Sequence, residues 1–191
     1  MTGCIILAAG ASSRMGTAKQ NLLYKGQTLL QTAISAVLAT QVKAIAVVLG
    51  ANAITVRPTL QFPGVHIFIN DIWQEGVASS IRSGLLETLK LYPDIDNVLV
   101  ILADQPLVDS AFITALLEKW EHGKIAASWY NNTIGPPALF DKAFFPELLK
   151  LKGDDGAKKF MLKHPEAVIS VPFASGAIDI DTPDDYQQFN S

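Results

Sequence analysis

The sequence predicts an α/β fold in which a mainly parallel sheet is covered by helices on both faces. Three observations carry this prediction. Charged residues make up 17% of the 191 residues, below the ~25% usual for soluble domains. With mean hydropathy at +0.27, much of the apolar content must lie in strands buried on both sides. Short apolar runs rich in β-branched residues recur at 4–8, 44–49, 65–69, 98–102, 125–128 and 168–171. Helical patterns separate them, which is the signature of βαβ units.

Taken in order, the run at 4–8 is followed by a glycine loop and then by Leu29, Leu30, Ala33, Ile34, Val37 and Leu38, which keep helical spacing. After the runs at 44–49 and 65–69, Val77, Ile81, Leu85 and Leu89 repeat that spacing. Beyond 98–102, Asp109 is placed to cap a helix whose apolar stripe is Phe112, Ile113, Leu116, Leu117 and Trp120. Residues 131–156 contain Pro136, Pro137 and Pro146 and read as the least regular part, an insertion or lid closing on a second substrate. Near the end, Thr182 with Pro183 at N1 and Asp185 at N3 forms a helix start. No linker, repeat or low-complexity tract divides the chain, so one domain over 1–191 is expected.

Fifteen Lys plus Arg against eighteen Asp plus Glu give a net charge of −3, with a pI near 5.5. This disfavours nonspecific binding of nucleic acid. No apolar run approaches the ~18 residues of a membrane span, and the first residues show no secretory pattern. A cytoplasmic protein with no membrane partner is expected. The single cysteine, Cys4, excludes an intrachain disulfide and falls in a strand-like run, where a buried, inert thiol is expected. His66, His122 and His164 lack metal-binding spacing.

The chemistry concentrates beyond the strand ends, where parallel sheets hold ligands. After the first run the chain reads Leu7-Ala8-Ala9-Gly10-Ala11-Ser12-Ser13-Arg14-Met15-Gly16-Thr17-Ala18-Lys19. Small residues allow a ligand to approach the backbone, N–H groups can point at phosphate oxygens, and Arg14 and Lys19 add two cations. Gly16 is followed by Thr17 where a P-loop needs lysine, and the dinucleotide pattern G-x-G-x-x-G is absent. Asp104, in Leu102-Ala103-Asp104-Gln105-Pro106, emerges from an apolar strand and is the first candidate ligand for Mg²⁺. In an extended 178–181, Asp179 and Asp181 would share one side and face the same metal. Asn70 to Ser80 joins the third strand to a helix. There Gly76, Ser79 and Ser80 leave backbone groups open to a base or ribose, and Asn70 or Asp71 can reach a sugar hydroxyl.

Those motifs, with Glu75-Gly76-Val77-Ala78-Ser79-Ser80, Gly153-Asp154-Asp155-Gly156-Ala157-Lys158 and Asp179-Ile180-Asp181-Thr182-Pro183-Asp184-Asp185, resemble the MobA-like nucleotidyltransferases. Within them they are most similar to the molybdenum cofactor cytidylyltransferases. One departure is Lys158, where the family pattern has Arg.

The resemblance implies a Rossmann-like three-layer sandwich and transfer of CMP from CTP to the phosphate of molybdopterin, with release of pyrophosphate. Gly10 to Gly16, including Ser12, would wrap the triphosphate, and Arg14 and Lys19 would act on its β and γ phosphates. Asp104 with Asp179 or Asp181 would hold Mg²⁺. Ala8, Ala9, Gly76 and Ser80 would line the base and ribose side. The stretch to about residue 105 would bind nucleotide, and 106–191 the acceptor. A molybdoenzyme or its maturation chaperone would receive the product. Guanylyl transfer, sugar-phosphate nucleotidyl transfer and a non-catalytic nucleotide-binding module remain the alternatives.

Overall fold

The computed structural model describes residues 1–178, 180 and 182–190. Asp179 and Asp181, two of the expected metal ligands, lie outside the described residues.

In chain order the first elements are β1 (Thr2–Ala8), a small hairpin of β2 (Leu23–Tyr24) and β3 (Gln27–Thr28), and α1 (Leu29–Leu38). Next come β4 (Ala44–Leu49), α2 (Ala53–Val56), β5 (Val65–Ile69), α3 (Val77–Leu91), β6 (Asn97–Leu102) and α4 (Ser110–Lys119). The chain ends with β7 (Ile125–Tyr130), β8 (Thr133–Asp141), α5 (Phe145–Leu148), α6 (Ala157–Lys163), β9 (Val168–Pro172) and α7 (Pro183–Asn190).

Seven strands form one sheet in the order β5-β4-β1-β6-β8-β7-β9. All neighbours pair parallel except at β8, which runs antiparallel to both β6 and β7. Period two divides the strand side chains between two apolar layers. Ile6, Val47 and Leu99 pack under α1 and α4, whereas Ile5, Val48 and Val100 pack under α3 and α6. The result is the three-layer α/β sandwich that the sequence predicts.

The expected helix starts carry their caps. Asp109 Oδ1 accepts from Phe112 N at 2.8 Å. Asp185 N donates to Thr182 Oγ1 at 3.2 Å, and Thr182 N donates back to Asp185 Oδ2 at 2.8 Å. Such caps satisfy N–H groups that have no partner within the helix. Cys4 is fully buried, and burial raises its thiol pKa far above the ordinary value. It serves as core.

The insertion or lid expected over 131–156 does not occur, because this stretch supplies a strand of the sheet. Residues 133–141 form β8, buried along almost its whole length in the middle of the sheet. Pro136 and Pro137, which lack N–H groups, fall where the β7–β8 register shifts. At such a bulge no ladder donor is missed. Their carbonyls accept from Gln105 Nε2 at 3.2 Å and Ser128 Oγ at 2.7 Å.

Candidate active site

From β1 the chain winds outward through β4 to β5, then returns to place β6 on the other side of β1. This reversal opens a crevice at the carboxyl ends of β1 and β6, the usual ligand position in such sheets. A cavity of about 390 Å³ lies there. Leu7, Ala8, Leu102 and Ala103 line it from the strand ends, the glycine loop and Lys19 line a second side, and Trp73, Gly76, Val77 and Ser80 a third.

The loop after β1 is fixed from behind. Ala9 O accepts from Ala51 N at 3.2 Å, and Gly10 O accepts from Asn52 Nδ2 at 3.2 Å. Gln20, only 2% exposed, donates to Ala8 O at 2.9 Å and to Gly10 O at 3.1 Å. In a planar trans peptide the N–H points opposite the carbonyl. The N–H groups of Ala9, Gly10 and Ala11 are therefore turned away from these partners, as a phosphate cradle requires. Ser12 and Gly16 take left-handed φ values of 56° and 71° that let the loop turn. Met15, buried between them and beyond, anchors the loop on Leu29 and Ile180.

Lys19 and Asp104 meet across the cavity, with Nζ donating to Asp104 Oδ2. Both are largely shielded, at 17% and 18% side-chain exposure. The other carboxylate oxygen, Oδ1, is buried and has no hydrogen-bond partner among the described residues. A carboxylate with an idle oxygen beside a phosphate-sized cradle suits a hard divalent cation, which takes one or two carboxylates together with substrate phosphates. Among the described residues no cluster of three metal-ligating side chains occurs, so Asp104 would need substrate oxygens, water or residues outside that set to complete a shell.

The third side is built on Asn70. Its Nδ2 donates to Ser79 Oγ at 2.7 Å and Ser80 Oγ at 3.0 Å, while its Oδ1 accepts from Ile72 N at 3.1 Å. Ser79 in turn donates to Gly76 O at 2.8 Å. Asn70 and Ser79 thus act behind the wall and hold Ser80 in place, and Ser80 lines the cavity. The start of α3 is less open than its small residues suggest, because Ala78 N donates to Gly153 O at 3.1 Å. Gly76 has φ of 96°, and a Cβ there would lie 2.4 Å from Gly153 O. Glycine lets the 152–156 turn dock on the helix.

The structure therefore brings Ala8, Ala9, Gly10, Lys19, Gly76, Ser80 and Asp104 onto one cavity. Arg14 and Asp71 are exposed and outside its lining. Sequence reasoning did not single out Gln20, Trp73 or Leu102. Gln20 reads as one more polar loop residue, and Trp73 as an incidental aromatic in an element chosen for its serines.

Comparison with known proteins agrees with this geometry. The MobA-like NTP transferase domain matches residues 4–168. Nicotine blue oxidoreductase of Paenarthrobacter nicotinovorans is 30% identical over 189 residues, covering 93% of this chain and 91% of that protein. Molybdenum cofactor guanylyltransferase of Rhizobium meliloti (strain 1021) is 28% identical, covering 96% and 88%. The crystal structure of Rv0371c from Mycobacterium tuberculosis H37Rv superposes with a TM-score of 0.86 at 29% identity, covering 99% of this chain and 97% of that one. A structure of the same mycobacterial protein in complex with manganese superposes with a TM-score of 0.83 at 26% identity, covering 99% and 97%. With the family match spanning most of the sheet and every residue that lines the cavity, the chain belongs to the MobA-like NTP transferase domain family.

Proposed function

We propose that the protein transfers CMP from CTP to the terminal phosphate of molybdopterin or the molybdenum cofactor and releases pyrophosphate. The observation that carries this reading is the Lys19–Asp104 pair facing a glycine loop whose carbonyls are held inward. The acceptor phosphate is already a nucleophile, so the protein needs to align it with the α-phosphorus and neutralise charge rather than supply a base. Lys19 and Arg14 take the β and γ phosphates, and the N–H groups of the loop take the remaining oxygens. Asp104, joined by Asp179 or Asp181, would hold Mg²⁺ or a similar divalent ion, which when bound lowers the charge on the phosphate oxygens. The manganese reported for the mycobacterial relative supports a divalent ion in this role.

The cytosine preference rests on the third side of the cavity. Ser80 Oγ accepts from Asn70, which leaves its own O–H to donate, a match for O2 of cytosine. Ala9 and Trp73 both line the cavity, and in this reading the Ala9 methyl narrows the slot beside the base and so penalises a purine. In this reading the segment to about residue 105 serves the nucleotide and 106–191 the acceptor, within one cytoplasmic domain. A molybdoenzyme or its maturation chaperone receives the product. No helix among the described residues is long and apolar enough to cross a membrane.

Incubating the protein with molybdopterin, Mg²⁺ and each NTP, and following pyrophosphate and the pterin product, tests the reading. CTP is expected to give a pterin cytosine dinucleotide, whereas a GTP preference would move the protein to guanylyl transfer. The relative named as an oxidoreductase motivates a second reading. Against it stands the missing G-x-G-x-x-G pattern. Oxidation of NADH or NADPH by the protein, with no pyrophosphate from any NTP, would favour that second reading.

A further inference from the structure

We infer that Gln20 is the positioning residue of the triphosphate cradle, setting the shape of the glycine loop and the reach of Lys19. The inference rests on the nucleotidyl-transfer reading of the cavity. Gln20 follows Lys19 in a short 3-10 turn, Lys19–Asn21, with its side chain buried beneath the loop. Its amide is matched to three loop atoms at once. Nε2 donates to Ala8 O and Gly10 O, and Oε1 accepts from Ser12 Oγ at 3.4 Å. Ser12 Oγ also accepts from Lys19 N at 3.1 Å. One side chain therefore holds the carbonyls of Ala8 and Gly10, and through Ser12 it fixes the backbone of the lysine that meets Asp104.

Only a neutral amide fits this task. It offers two donors to two carbonyls and an acceptor to a hydroxyl. A glutamate of the same length would turn acceptor against acceptor and place a negative charge behind a site built for phosphate. A methionine would fill the space but remove the amide donor from both Ala8 O and Gly10 O, leaving Gly10 O to Asn52 alone, and their peptides would be freer to rotate the N–H groups out of the cradle. Gln20 borders the cavity, but its amide donors are engaged by the loop carbonyls rather than turned to a ligand. It acts through the loop and through Lys19.

The test compares parent, Gln20→Met, Gln20→Glu and a control, Gln31→Met. Gln31 also uses its amide on backbone, donating to Thr59 O at 3.0 Å and closing the α1 cap, but it lies outside the cavity lining. Each variant is checked for folding by circular dichroism and melting. Binding of inorganic tripolyphosphate is measured by calorimetry, and pyrophosphate release from CTP by steady-state kinetics. Gln20→Met is expected to weaken tripolyphosphate binding and raise KM for CTP on the order of 10-fold to 10²-fold, the scale of a small misplacement of a catalytic group, with KM for the pterin acceptor unchanged. Gln20→Glu should be weaker still, and Gln31→Met should melt lower with parental KM for CTP. A folded Gln20→Met protein whose tripolyphosphate affinity and KM for CTP stay within twofold of an active parent overturns the inference alone. A parent that neither binds tripolyphosphate nor releases pyrophosphate from any NTP overturns the functional reading, and the inference falls with it.

Discussion

Strand β6 has an aspartate at each end, and the two are used in opposite ways. Asp96, just before the strand, accepts from the N-terminal ammonium at 2.6 Å and from Lys142 Nζ at 2.8 Å, one cation on each oxygen. It is well exposed. The Lys142 hydrogen bond, followed by that of the N-terminus, holds its pKa down at about 2. Asp104, just past the other end, is shielded within a cavity, and one oxygen accepts from Lys19 while the other has no partner among the described residues. Asp96 completes its bonding inside the protein. Asp104 does not, and it stands where the fold opens a crevice. Incomplete bonding at a shielded carboxylate distinguishes the proposed chemical end of this strand, whereas a carboxylate in a well-matched ion pair marks a structural end.

Removing the cation at the chemical end should have the largest effect. Lys19→Ala is expected to lower turnover by on the order of 10² to 10³, the scale of a lost preorganised electrostatic contact. Full activity in that variant, measured as pyrophosphate release, would break the comparison at once. The base preference is expected to be smaller. CTP should exceed GTP in kcat/KM by at least about tenfold, or roughly 1.4 kcal/mol, and Ser80→Ala should narrow the gap in side-by-side kinetics with the four NTPs.

Gly76→Ala sharpens the contrast between backbone and side-chain roles. With φ at 96° and Gly153 O in the way, it should cost about 1–3 kcal/mol of stability. Chemical denaturation measures this directly. The smallest effect is expected at the structural end. Asp96→Asn should leave turnover at the parental level and lower the melting temperature slightly at neutral pH, as exposed ion pairs contribute little. Because the folded pKa of Asp96 lies below its ordinary 3.8, its contribution is complete above about pH 4. It fades as pH falls toward 2, so parent and variant should melt alike in acid.

Much of this arrangement was legible in the sequence because it is local. The run at 44–49 matches β4 residue for residue, and the Asp109 and Thr182 caps depend on residues three apart. The loop after β1 and Asp104 were also legible, since a small-residue turn or a carboxylate directly after an apolar strand needs no knowledge of distant chain. What escaped depends on contacts far along the chain. Two adjacent prolines argue against a strand unless the partner register shifts beside them, as β7 does for β8. Asn70 looked like a ligand residue, but its hydrogen bonds go to two serines nine and ten positions later. Gln20 gave no local signal, because its partners are a hydroxyl and two carbonyls eight to twelve residues back.

The most direct test of the central claim is pyrophosphate release from CTP and molybdopterin by parent, Asp104→Asn and Asp96→Asn across a Mg²⁺ titration. Asp104→Asn preserves size and removes the charge, and it should keep stability within about 1 kcal/mol of the parent, as expected of a change outside the core. Asp96→Asn is expected to follow the parent curve, and Asp104→Asn to lose turnover by on the order of 10² and to need more Mg²⁺ for what remains. An Asp104→Asn protein as active as the parent at every Mg²⁺ concentration would contradict the claim.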